Sequence, residues 1–579
     1  RLNVVVQFAD RNAVRALNEV DLELNEYIGS NAYFATLKPG THPSALAKWG
    51  IRSIAKIRGE WKLADDLRDN KIPDYADEGE RVALTLYWFP TVNWEWVKKK
   101  LKEKNIVYGT GADLFRSVPI SIEKSAVAAL AAEEWTQFLT LKDAPKELVN
   151  FRGAPLHGGR LLSLPYAEGG AELTGRGVKV GVWDANVAPH VDYGDRVHCL
   201  EYEMSLAESD GHGMHVTGTI AGAGLLDEKA KGIAPLAEVW TSNFNRSSNG
   251  KIVPLEMYEL WEKEHISLTN NSYGLTFRGI CSSYNDLSYS TYSSELAIDI
   301  LCGEVPTLTH VFAAGNEGIY CQSLGTVTHR AKNPIYVGNV DHLEKISASS
   351  SRGPSDDGRI YPTVSAKGMR VYSTIFDQSY RLLDGTSMAC PTVTGHLALL
   401  TERFKQLNGG AIPTNDLLKA LIANTARDEG RKGPDYEYGF GILSATEAMR
   451  AMDNKWYLRD EFQAGEAAKS YKLKVPAGQD LLRVMIVWND PVTIKTYAHG
   501  EKALINDLDI TVEADGVTYQ PFVLDKDEPK SPATLGRNDV DPIEQVEIAS
   551  PQEGEVTIKV NGDIKQGGKQ SFVLTWYFA

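Results

Sequence analysis

Two kinds of hydrophobic spacing divide this chain. Between about residues 172 and 452, near-continuous apolar runs alternate with stretches of helical period. Val178–Asp184, Leu308–Ala314 and Pro334–Val340 are runs of the first kind. The stripe Val393, Leu397, Leu399, Leu400 and Phe404, followed by a last helix around Ala445–Met452, is of the second. Strands apolar at successive positions are buried on both faces, so the pattern predicts an α/β domain with a helix-covered parallel sheet. From about Asn454 the pattern changes to alternation. Leu482–Trp488, Asp507–Val512, Glu555–Val560 and Ser571–Trp576 read as half-buried strands between Gly- and Pro-rich turns, which predicts a β-sandwich. Residues 1–150 hold an internal repeat of short strands and helices, about 80 residues apart, each copy a βαββαβ-like α+β unit. An acidic linker, Asp65–Glu80, separates the copies. The expected domains are therefore 1–64, 81–150, 151–453 and 454–579.

Candidate chemistry gathers in the central domain. Ser387 lies in Asp384-Gly385-Thr386-Ser387-Met388-Ala389, where a tight Gly turn runs into an apolar helix. A helix end offers free N–H groups and partial positive charge to a developing oxyanion. A serine hydroxyl is a weak nucleophile without a neighbouring base. Asp210-Gly211-His212-Gly213-Met214-His215 supplies a histidine at another helix start, and the strand Val178–Asp184 ends in a carboxylate. An imidazole titrates near neutral pH, so His212 suits the base, and Asp184 would hold its tautomer. A capping Ser, a core His or a strand-end Asp is each common alone; in this order and with these glycines they point together to acyl transfer. His215 reads as structural.

Asp, then His, then Ser is the chain order of subtilisin, and the motifs resemble those of the subtilisin-like serine protease family over roughly residues 172–452. Met214 stands where the family's His-Gly-Thr-His motif has Thr. The resemblance implies a subtilisin-like catalytic domain and a serine endopeptidase, with Asp184, His212 and Ser387 as triad. It also implies that Asn316, in Ala313-Ala314-Gly315-Asn316, is the oxyanion-hole side chain. Ser272, Tyr273 and Gly274 map onto the segment that pairs with extended substrate, and Glu317 onto the rim of the primary specificity pocket. The modules in residues 1–150 resemble subtilase propeptides, which implies a zymogen inhibited by its own N-terminal region until cut between about Ala144 and Glu172. Substrate-docking modules are the alternative for this region. The C-terminal domain resembles the jelly-roll-like domain of a bacterial subgroup.

Composition narrows the partners. A net charge of −15 argues against nucleic acid or an anionic membrane, and no apolar stretch is long enough to span a bilayer. Protein or peptide substrates are the expected partners. The chain opens on Arg1 without a signal peptide, and the expectation of a secreted, periplasmic or cell-surface location rests on the resemblance. Of five cysteines, Cys281 and Cys321 are expected to pair in loop-like sequence, whereas Cys390 reads as a small buried residue. The chemistry needs no cofactor. Asp507, Asp509, Asn538, Asp541 and Glu544 offer oxygen ligands for a structural calcium, but strand-end charges explain them as well, and no metal ligand is assigned. A second functional class, a protease-fold scaffold locked by its front modules, stands against the enzyme reading; every catalytic position holds a competent residue, which favours the enzyme.

Overall fold

The computed structural model describes residues 2–9, 22–29, 31–41, 50–73, 76–111, 113, 116–142, 153–200, 211–244, 253–274, 293–318, 329–463, 465–493, 497–498 and 500–579. The chain divides into two units, Arg1–Glu147 and Leu148–Ala579.

Within the first unit, the strands Leu2–Phe8, Leu22–Gly29, Ala32–Leu37 and Ile51–Lys56 form one antiparallel sheet. The first strand lies between the third and fourth, and the second sits at the edge. Strands Arg81–Trp88, Val107–Tyr108, Ser117–Glu123 and Thr136–Leu141 repeat that order in a second sheet. The helices Trp94–Glu103 and Val127–Ala132 stand between its strands as the βαββαβ pattern requires. The corresponding stretches of the first copy, including the expected helix around Ala45–Trp49, lie outside the described residues.

The expected acidic linker is not free. Leu67 and Ala76 are buried in the core of the second copy. Leu63 bridges to Leu139, and Lys62 is buried with its ammonium donating to the Glu133 carbonyl at 2.7 Å. Asp69, Asp77, Glu78 and Glu80 are exposed, and the few apolar residues of the stretch decide where it packs.

In the second unit, seven parallel strands stand in the spatial order Val197–Cys199, Glu238–Asn243, Lys179–Asp184, Leu268–Asn271, Thr309–Ala313, Ile335–Val340 and Val364–Lys367. Alternate side chains serve two cores, as the two-residue period of a strand demands. Val180, Val182, Val311, Ala313, Ile335 and Val337 join the cluster that holds the helices His212–Ala221 and Thr386–Leu407. Trp183, Phe312 and Tyr336 point the other way, into the cluster of Met257, Leu260, Ile298 and Leu301 from the helices Val253–Glu264 and Ser293–Glu304.

Two four-stranded antiparallel sheets follow as a sandwich, with Leu482, Val484, Ile486 and Trp488 in its interior. The strand Leu481–Trp488 is not half-buried as its sequence suggests. Its other face, Met485 and Val487, joins the core of the parallel-sheet domain, and the strand packs on the helix Asn415–Asn424. The stretch 153–173 also belongs to this unit. Leu162, Ala171 and Leu173 are core residues, and His157 accepts the Lys367 N–H at Nε2 (2.9 Å) and donates to the Leu443 carbonyl (2.9 Å).

Burial pushes the His396 imidazole, in the helix Thr386–Leu407, down to about 4, so it is neutral in the folded protein. Below its unfolded value near 6.5 the unfolded chain binds a proton that the folded chain refuses. Its contribution to stability is whole above that pH and is lost as pH falls toward 4, by about 3 kcal/mol. His396→Gln should therefore be less stable than the parent at pH 7, by a margin that shrinks between pH 6.5 and 4 in urea melts of a Ser387→Ala background. A margin constant with pH would contradict the assignment.

Candidate active site

After Lys179–Asp184, the chain builds outward on one side of that strand, then crosses to its other side at Leu268–Asn271. Ligands of open α/β sheets sit at the carboxyl ends of strands where the order reverses in this way. Trp183 pairs with Asn271, so Asp184 and Ser272 are the next positions on adjacent strands.

Asp184 is buried, and its Oδ1 accepts the Ala185 N–H at 2.7 Å and the His212 Nδ1 at 2.6 Å. A carboxylate only accepts, so Nδ1 carries the proton and Nε2 keeps its lone pair. His212 opens the helix His212–Ala221 behind Gly211, whose φ of 82° is left-handed. Gly213 is obligatory for a different reason: a Cβ there would lie 2.3 Å from the Ala185 carbonyl, forcing the helix away from the Asp184 turn.

Ser387 is the second residue of Thr386–Leu407, after Gly385 at φ 147°. The open end of this helix is allocated group by group. Met388 and Ala389 N–H reach back to the Gly385 carbonyl, at 3.0 and 3.3 Å. Thr386 donates its N–H and its hydroxyl to Asn316 Oδ1, at 2.9 and 3.1 Å. That leaves the Ser387 N–H for an incoming oxygen. Because Oδ1 accepts from a backbone N–H, the orientation of the Asn316 amide is fixed and its NH2 is the end left to donate. Gly315 N–H completes the brace by donating to Thr386 Oγ1 at 3.1 Å.

The Subtilase family matches residues 175–441. Subtilisin BL of Lederbergia lenta is 30% identical over 48% of this chain and 93% of its own length. The chain belongs to the subtilase family. Subtilisin Savinase, also of Lederbergia lenta, is 29% identical with the same shares. The minor extracellular protease Epr of Bacillus subtilis is 25% identical over 47% of this chain and 38% of its own length. The matched region leaves the first unit and the sandwich outside it.

In this subtilase the serine turn is tied to the adjacent strand end. Ser387 Oγ donates to the Ser272 carbonyl at 3.3 Å, and Ser272 Oγ donates to the Ser387 carbonyl at 2.9 Å. The second bond has a cause in the helix. Pro391, four residues after Ser387, has no N–H to give that carbonyl, so Ser272 supplies the missing donor. Tyr273 turns its ring inward, stacked on Phe244 at 4.7 Å, with its hydroxyl donating to Asn271 at 3.3 Å. Burial pushes its phenol well up. Gly274 is exposed. Glu317, expected at a pocket rim, is 8% exposed, with its N–H donating to Ser351 Oγ at 3.1 Å.

The second histidine of the motif is no rival base. His215 is buried, its Nε2 donates to the Val371 and Arg381 carbonyls at 2.9 and 3.0 Å, and burial pushes it down to about 4. Cys390 is a free, buried thiol that burial pushes up to about 12, and Cys281 and Cys321 lie outside the described residues. The acidic residues of the sandwich are engaged by protein groups. Arg537 holds Asp507 and Asp509 at 2.7 and 2.9 Å, Asp541 takes the Ile360 N–H at 2.8 Å and Asn538 at 3.0 Å, and Glu544 takes the Ile510 N–H at 2.8 Å. Among the described residues no three His, Cys, Asp or Glu are gathered to hold a metal ion.

Ser272→Ala removes the donor to the Ser387 carbonyl and should destabilise the catalytic unit by about 1–2 kcal/mol. Adding Pro391→Ala restores a helical N–H at the same carbonyl and should recover part of that loss. Additive costs in denaturant melts of the single and double variants would show that the two residues do not share this acceptor.

Proposed function

We propose that this subtilase is a serine endopeptidase working through an acyl-enzyme on Ser387. The observation that carries the reading is the buried Asp184 carboxylate on His212 Nδ1 at 2.6 Å, at the strand edge where Ser387 sits on its helix end. In the reaction, Ser387 Oγ attacks the peptide carbonyl carbon as its proton passes to His212 Nε2. Asp184 stabilises the imidazolium formed. The oxygen, now negative, takes hydrogen bonds from the Asn316 amide and the Ser387 N–H. His212 returns the proton to the departing amine and leaves an ester on Ser387. A water then repeats the sequence and frees the acid. The Ser272 carbonyl that holds the resting hydroxyl is exchanged for His212 in the reacting complex, a tightening expected of unliganded sites.

Ser387→Ala should keep the fold and abolish covalent labelling by a fluorophosphonate, read by intact-mass spectrometry. Equal labelling of variant and parent would overturn the proposal.

The Ser272–Gly274 edge suits an extended peptide bound through backbone hydrogen bonds. The first unit is read as a propeptide whose last strand, Thr136–Leu141, feeds a tail into that edge as a product would lie. Tethering raises its effective concentration, and a cut removes that advantage. Within the expected span from about Ala144 to Glu172, the core positions of Leu162, Ala171 and Leu173 support a cut that precedes them. Export fits the extracellular location named for Epr, and among the described residues no helix is long and apolar enough to cross a membrane. A fragment 1–150 added to active 153–579 should inhibit competitively against a peptide substrate. An uncut chain with full activity, together with a fragment inert in trans, would return the first unit to a docking role.

A further inference from the structure

Behind the substrate edge lies a second histidine–carboxylate pair that the reaction above does not use. His329 is 5% exposed; its Nε2 is 2.8 Å from the Tyr273 carbonyl and its Nδ1 is 3.3 Å from Glu295 Oε1. Both partners are acceptors, so both bonds exist together when both ring nitrogens carry protons. Glu295 is set to accept from that ring. Burial alone would raise its carboxyl, but the hydrogen bond and charge of His329, with the N–H groups of Arg330 and Ala331, bring it below its ordinary value. Those two N–H groups meet Glu295 Oε2 at 3.0 and 2.8 Å. One turn along the same helix, Asp299 takes the N–H groups of Lys332 and Asn333 at 2.9 Å. Four successive amides are thus clamped to one helix face, which fixes where His329 emerges. The rings of Phe312 and Tyr336 flank it at 4.8 and 6.1 Å.

The carbonyls of the substrate edge point to different partners. Ser272 offers its oxygen to Ser387, whereas Tyr273 offers its oxygen to His329. Fixing the Tyr273 carbonyl fixes the plane of the peptide that joins it to Gly274, and with it the direction of the Gly274 N–H. We propose that His329, oriented by Glu295, is a positioning residue that holds the substrate-binding edge in the orientation needed to pair with an extended peptide. The inference rests on the reading of Ser272–Gly274 as that edge. It separates His329 from the reacting atoms: its loss should weaken binding of residues remote from the scissile bond and leave the triad intact.

The test uses active enzyme carrying His329→Phe, which keeps a ring among Phe312 and Tyr336, and His329→Gln, which keeps a donor. For a peptide extending several residues before the cleaved bond, His329→Phe should raise KM about tenfold, the equivalent of one hydrogen bond. Hydrolysis of a single-residue ester and the rate of phosphonate labelling should stay at the parent values, and His329→Gln should recover part of the KM. Should His329→Phe not fold, His329→Gln with its intermediate KM carries the test. A parallel loss on ester and peptide, or an unchanged peptide KM, would overturn the proposal. Failure of the parent itself to label would instead sink the acyl-enzyme reading.

Discussion

The open end of the helix Thr386–Leu407 is the constraint around which the catalytic unit is arranged. A helix leaves its first N–H groups unpaired, and burying them without partners costs as much as any hydrogen bond could return. Here the deficit is resolved by position. Asn316 takes the Thr386 N–H, the Gly385 carbonyl takes those of Met388 and Ala389, and the Ser387 N–H is what remains. A side chain at residue 385 would press on the Asn316 amide at 3.3 Å, so the glycine, the asparagine and the serine are one steric and hydrogen-bonding decision. Pro391 extends the same logic to the carbonyl side, opening an acceptor that Ser272 fills. The serine turn and the strand end at Ser272 are held together by the helix's own unmet bonds.

Much of this was legible in the sequence because the constraints act on residue type at short range. A carboxylate ending an apolar strand, a histidine between two glycines and a serine after Gly-Thr each announce a backbone that few residues permit. The structure gives local reasons, such as the 2.3 Å approach that excludes a Cβ at Gly213. Less legible were features decided by long-range packing. Leu481–Trp488 contains the unbroken apolar run Val484–Trp488, which fits burial on both faces, but nothing in it names the second core that Met485 and Val487 meet. The segment after Leu63 looks like a linker by charge and is anchored by a few apolar contacts. His329 lies in a polar run with no motif around it. Its one signal is that an imidazole, two lysine or arginine residues and an asparagine are crowded into five positions before a buried strand, which demands buried partners that sequence cannot name.

Those partners join the sandwich to the cleft. Lys332 is fully buried, and its ammonium meets the Asp490 carboxylate as well as the Pro491 and Ala503 carbonyls at 2.7 and 3.0 Å. Asn333 donates to the Asp490 carbonyl at 3.0 Å and accepts its N–H at 2.9 Å. Removing either partner of such a pair leaves an uncompensated buried charge, a cost of roughly 3–5 kcal/mol. The short segment 329–333 therefore has three masters: Tyr273 through His329, the helix Ser293–Glu304 through Glu295 and Asp299, and the sandwich through Asp490.

This arrangement bears on why a sandwich follows the catalytic domain at all. Its contact surface is partly apolar, through Met485, Val487, Ile543 and Val573, which share the catalytic core. Apolar burial of that kind adds stability without direction. The charged and amide contacts around Asp490 add direction, because Lys332 and Asn333 satisfy their bonds only in one register. A displacement of the sandwich would have to break them before moving the segment that carries His329. The C-terminal domain is thus coupled to the strand end at Tyr273 through five consecutive residues, while Asp184, His212 and Ser387 draw their geometry from the parallel sheet and the two helix starts. The Tyr273 strand end and the Asp184–His212 pair rest on different supports within one unit.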